Sequence, residues 1–136
     1  MTQPNNSTLK NVAFYAACFT FSVALFVALA AAGHVYPLGD NSFLTNDLKY
    51  QYIDFFAWFR RVLLGEANLR YSFSQGLGMN TWGLYSYYLA SPFNLLCVLF
   101  PADKLTLFVF AITALKLGCI HISSAWYVQK RFDLHK

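Results

Sequence analysis

Two stretches of the chain run apolar for longer than a soluble core helix needs. The first, VAFYAACFTFSVALFVALAAAG, extends from Val12 to Gly33 without a charge. Roughly 20 apolar residues carry a helix across a bilayer, so a transmembrane helix is expected over 12–33. Its ALAAAG end also has the small-residue spacing of a signal-peptide cleavage site, yet the run exceeds the roughly 7–15 residues of a signal core. The second stretch, LTLFVFAITALKLGCIHISSAWYV, predicts a span over 105–128, with Asp103 of the preceding PADK placed to cap it.

Between them lie about 70 residues with a different pattern. From Asp47 to Leu64 the apolar positions Leu48, Tyr52, Phe55, Phe56, Phe59, Val62 and Leu63 fall within about 120° of arc at 100° per residue, which predicts an interfacial amphipathic helix over about 47–64. Beside that stripe, Asp47, Gln51, Asp54, Trp58 and Arg61 share roughly 80° of the helix flank, while Lys49 and Arg60 project elsewhere. The run WGLYSYYLASPFNLLCVLF is long enough to suggest a third span, but Pro92 drives Ser91 out of the helical region. Two short helices over 82–90 and 92–100 are expected, with Ser91 as cap and Pro92 in the first turn. Tyrosines 85, 87 and 88 suit the headgroup level.

Composition agrees with a membrane setting: of 136 residues, 57% are hydrophobic and only 12% charged. The fold class expected is all-α integral membrane, two transmembrane helices joined by a large external loop (34–104) that carries interfacial amphipathic helices. Lys10 before the first run, and Lys130, Arg131 and Lys136 after the second, put both tails (1–11 and 129–136) in the cytoplasm by the positive-inside rule. The polar start MTQPNNSTLK is expected to be mobile. Cys18, Cys97 and Cys119 lie in apolar runs without metal-ligand spacing and read as packing residues. Phosphate-binding loops of the Walker or Rossmann kind are absent, and nucleic acid is not an expected partner.

The stretch TNDLKYQY raises the question of why an aspartate stands among aromatic residues just past the first span. One answer is structural: Asp47 offsets the helix dipole or caps the first turn, and Trp58 anchors the interface. The other is chemical. A carboxylate held just outside the bilayer can take a proton from a hydroxyl nucleophile, or hold a divalent metal against a phosphate leaving group.

The order YPLGDNSFLTNDLKYQY, then YSFSQGLGMNTWGLYSYYLASPFNLLCVLFP, then a span containing ALKLG, resembles the amino-terminal part of the YfhO family of bacterial multispanning proteins, over about residues 9–130. The sets that carry it are Asp47-x-x-x-Gln51-Tyr52, Gly76-x-Gly78 and Tyr87-Tyr88-x-x-Ser91-Pro92-Phe93-Asn94. The resemblance implies a GT-C class membrane glycosyltransferase of the bacterial plasma membrane, which moves a sugar from a polyprenyl-phosphate carrier to a cell-envelope acceptor such as teichoic acid or a glycolipid. It implies that Asp47 is the acid of the first external loop, with Asp40 in PLGDN as second choice. Gln51 and Tyr52 would contact substrate, Arg61 and Arg70 would grip the carrier phosphate, and Gly76 and Gly78 would let backbone approach a sugar or phosphate. The cofactor is left open, a divalent metal at Asp47 being one possibility.

Lys116, near the middle of the second span, costs about 2.5–3.5 kcal/mol on insertion scales and so calls for protein, water or an anion. It shares a helix face with Thr113, Ser123 and Tyr127; His121 points away and reads as a satisfied bundle histidine. A lipid phosphate, another copy or further helices would serve as its partner. The resembled family has many more spans, so the expectation is a fragment of a longer protein, inactive alone and completed by missing transmembrane helices or a partner subunit. The alternative is a small non-catalytic membrane subunit that assembles through Lys116 and the small-residue face of the first helix.

Overall fold

The computed structural model describes residues 6–74 and 77–132, with side chains from residue 9 onward. Gly76, Lys136 and the first five residues of the polar start therefore lie outside the described residues. The described residues are mostly helical, and among them two helices are long and apolar enough to cross a membrane. It divides into two compact units, residues 1–41 with 113–136, and residues 42–112.

In the first unit, α1 (Asn6–Ala32) is answered by residues 113–131 of α4 (Leu105–Arg131). None of the most apolar stretch of α1 is buried within the protein. The two helices meet through a few polar pairs and one close approach. The Tyr15 hydroxyl donates to Gln129 Oε1 at 2.6 Å, and Ser22 Oγ lies 2.6 Å from His121 Nδ1. A Cβ at Gly118 would collide with the ring of Phe19, so the missing side chain is what admits that ring. After α1 the chain closes a tight loop, with Asn41 donating its backbone N–H to the His34 carbonyl at 2.8 Å and its side-chain amide to that of Gly33 at 2.8 Å.

The second unit is built on aromatic packing. A π turn, Leu48–Tyr52, runs directly into α2 (Ile53–Leu63). A two-stranded antiparallel hairpin follows, β1 (Tyr71–Ser72) with β2 (Met79–Asn80), in register Tyr71 to Asn80. Next come α3 (Trp82–Leu84), a second π turn (Tyr85–Leu89) and a 3-10 helix (Pro92–Leu99). Ser91 between the last two is extended, as the following proline requires. Its side chain makes no capping hydrogen bond.

Phe56, Phe59, Leu89, Cys97 and Phe108 form the core of this unit. Phe108, from the first turns of α4, is 1% exposed and stands edge-on to Phe56 at 5.1 Å and to Phe100 at 5.5 Å. Polar ties close the periphery. Arg60 Nε donates to the Phe100 carbonyl at 2.7 Å, and the buried Thr81 donates its N–H to the Arg70 carbonyl at 3.1 Å and its hydroxyl to that of Leu69.

Two local expectations are revised. Phe56 and Phe59 of the apolar stripe of α2 are turned inward onto this core, and Trp58, expected to anchor the interface, is only 7% exposed. Rings from later in the chain (Tyr85, Tyr88, Phe108) satisfy the stripe where lipid was expected to. Asp103 does not occupy a cap: it sits inside a 3-10 turn (Ala102–Lys104) that leads into α4, with Pro101 at the N-cap.

Candidate functional site

Asp47 stands directly before a π turn, which changes the spacing of residues that share one side of the helix. In an α-helix, residues five apart diverge by about 140°. In a π turn the backbone hydrogen bond spans five residues and brings them to nearly the same side. Here the Ile53 N–H bonds the Leu48 carbonyl across the turn, and Asp47 stands five residues before Tyr52. The Tyr52 phenol is held above its ordinary value, first by partial burial, then by Tyr88 and Tyr87, and also by the charge of Asp47. Asp47 is exposed and makes no side-chain capping bond.

Around Tyr52 the rings converge. Its centroid lies 5.0 Å from that of Tyr88, edge to face, and Tyr88 in turn is 5.1 Å from Phe55 and 4.6 Å from Tyr87. The Tyr88 hydroxyl reaches toward Gln51 Oε1 at 3.5 Å, a long contact. Asn94, 2% exposed, donates its amide to the Leu89 carbonyl at 3.3 Å and so holds the end of the second π turn. Gln51 and Tyr52 thus meet Tyr88, with Tyr87 and Asn94 beside it, from about 40 residues on in the chain, and Asp47 stands at the head of the same π turn.

On the other flank of the helix a cleft of about 460 Å³ opens, lined by Tyr50, Gln51, Asp54, Trp58, Arg61 and, from the hairpin loop, Ser74, with Phe55 and Ala57 completing its apolar wall. Four of the five residues expected to share one strip line this cleft. Asp47 does not; a π turn lies between it and Asp54, so the 100° step that grouped the two does not hold there. Arg61 Nε lies 3.9 Å from Glu66 Oε2, both side chains exposed, a long surface pair of little energetic weight.

The other expected site residues lie apart from both places. Arg70 is exposed and lines neither. Gly78 has φ +104°, and a Cβ there would meet the Tyr71 hydroxyl, so its glycine serves the hairpin backbone. Asp40 is exposed in the loop after α1, in the first unit, and Lys116 is half-buried in the same unit. Gly76 is outside the described residues. Among the described residues no group of three or more His, Cys, Asp or Glu side chains gathers to hold a metal ion. Sequence reasoning missed Tyr50 and Ser74; Ser74 carries no local signal, since only the hairpin brings it to α2.

A family model described as bacterial membrane protein YfhO matches residues 17–136. The chain belongs to the YfhO family. No curated protein and no solved structure matches it. The motif sets of this YfhO-family chain that meet in the tyrosine cluster are those by which the sequence resembles the family, and all of the cluster falls inside the matched range.

Proposed function

We propose that this YfhO-family membrane protein supplies the acid-bearing loop of a glycosyltransferase that moves a sugar from a polyprenyl-phosphate carrier to a cell-envelope acceptor. The observation that supports the reading is the packing of Tyr52 and Gln51 against Tyr88, with Asp47 exposed at the head of the same π turn and its charge felt at the Tyr52 phenol. Asp47, exposed beside these rings, takes the proton of an acceptor hydroxyl as its oxygen bonds the anomeric carbon of the sugar. The bond from that carbon to the carrier phosphate breaks, and polyprenyl phosphate leaves with the electron pair. Gln51 and the tyrosine hydroxyls orient the acceptor by hydrogen bonds.

The surroundings suit a lipid-borne donor. Leu95 and Leu99 on the 3-10 helix, Tyr87 beside the cluster, and Phe73 and Leu77 on the hairpin expose apolar surface that a membrane interface would cover. In this reading the loop faces the outside of the bacterial plasma membrane and both tails face the cytoplasm. Reporter fusions at Lys10 and after Arg131 test that orientation; a periplasmic signal from either refutes it.

The decisive test is Asp47→Asn introduced into the chromosomal gene, with the sugar content of envelope polymers as readout. A general base contributes roughly 10²- to 10⁴-fold, so transfer falls by at least 100-fold while the protein still inserts. Unchanged glycosylation would sink the assignment. A second reading, a non-catalytic subunit, is favoured by one observation: Lys116 is half-buried in a membrane-length helix with no hydrogen bond or ion pair among the described residues. It predicts a defined oligomer in mild detergent that Lys116→Leu disperses.

A further inference from the structure

Apart from Gln51, the residues that line the cleft beside α2 take no part in the transfer just described, and they have their own chemistry. Asp54 and Arg61 stand two helical turns apart on one side of the helix, with Trp58 between them and Gln51 one turn earlier. Ser74 closes the opposite wall from the hairpin, its hydroxyl held 2.7 Å from that of Ser72. At about 460 Å³ the space falls in the range of small-molecule sites, roughly 300–1,000 Å³.

The charges in this cleft decide what it accepts. Asp54 is a fixed negative charge in the lining, and the Arg61 guanidinium is already approached by Glu66. A phosphate would meet Asp54 and compete with Glu66, whereas a neutral ligand meets one carboxylate and one guanidinium of opposite sign. Carboxylate, guanidinium, amide and hydroxyl groups together offer acceptors and donors in planar, two-pronged form, which suits adjacent hydroxyls on a ring. The half-buried ring of Phe55, with Tyr50 mostly exposed at the rim and the buried Trp58 backing the wall, suits the C–H face of the same ring. Lys49 Nζ takes one face of Tyr50 at 5.5 Å. A purely apolar ligand would leave the polar groups unpaired.

We propose that this cleft is a saccharide subsite, binding one uncharged sugar ring of the donor or acceptor through Asp54, Gln51, Arg61 and Ser74. The proposal rests on the glycosyl-transfer reading for its biological role, while the binding itself stands on the cleft.

The test uses the full chain in lipid nanodiscs and saturation-transfer NMR with glucose and N-acetylglucosamine as probes and inorganic phosphate as competitor. Saturable contact with at least one sugar, not displaced by phosphate, is expected, and Asp54→Ala should weaken it by roughly ten- to a hundred-fold. Arg61→Ala, at an exposed position, is the second variant and should weaken it too; circular dichroism checks the fold of both. No sugar contact in the unaltered protein, or contact that survives both substitutions, overturns the proposal. A polyprenyl-phosphate sugar added to the nanodisc separates the sources: displacement of the free sugar assigns the subsite to the donor, and persistence assigns it to the acceptor. Asp47→Asn should leave sugar binding intact. If sugars bind while Asp47→Asn cells glycosylate normally, the transferase reading falls and the subsite stands; if that variant abolishes transfer and no sugar binds, the subsite falls alone.

Discussion

Helix α1 leaves Phe14, Phe21, Leu25 and Leu29 exposed, whereas Phe56, Phe59 and Phe108 of the second unit are each at most 5% exposed. Both regions are rich in the same residue types, yet α1 leaves most of its apolar side chains open, with Phe21 edge-on to His121, while the second unit buries a core of rings and leaves Phe73, Leu77 and Leu99 exposed at its edge. Apolar area left open on a membrane-length helix calls for lipid, because neither water nor this chain satisfies it. In the second unit short helical pieces let rings meet edge to face, and Phe56 and Phe59 of α2 are buried among them. The first unit therefore depends on its solvent, and the second on its packing.

Removing a core ring should show that dependence most strongly. Phe108→Ala is expected to cost the second unit about 3–5 kcal/mol, read as protease sensitivity between residues 42 and 112 in detergent; resistance equal to the parent would mean that its aromatic core is not what holds it. Gly118→Leu forces a side chain into the Phe19 ring and should cost the helix pair about 1–3 kcal/mol, seen as a lower thermal midpoint with the second unit unaffected. In the hairpin, Gly78→Ala meets both a φ of +104° and the Tyr71 hydroxyl, an expected cost of roughly 1–3 kcal/mol confined to faster hydrogen exchange around β1 and β2. Ser22→Ala removes the partner of His121 and should cost only about 0.6 kcal/mol, the average for such bonds between membrane helices. A cost several times larger would give the first unit a polar core of its own and erase the contrast.

The smallest expected effect tests the alignment of Asp47 with Tyr52. Because the folded Tyr52 phenol titrates above its unfolded value, its contribution to stability is whole below about pH 10 and is lost as pH rises through the raised value. Asp47→Asn removes one of the causes and should move the phenol titration, followed by ultraviolet absorbance, slightly back toward the ordinary value. No movement at all would separate the two side chains.

What the sequence alone determined were features governed by each residue and its immediate neighbours. A run of apolar residues makes a membrane-length helix wherever it stands, and Pro92 extends the residue before it whatever surrounds them. The residues that line the cleft were largely legible as well, since Gln51, Asp54, Trp58 and Arg61 lie mostly in regular helix, where a 100° step holds. Only the structure decided that Asp47 is left out of the cleft, because the period assumed for a helix fails where the hydrogen bond lengthens to five residues. It likewise decided that the stripe of α2 faces Phe108 and Tyr88, and that Ser74 reaches the cleft. These depend on contacts between segments far apart in the chain, and no local period encodes which distant ring will arrive.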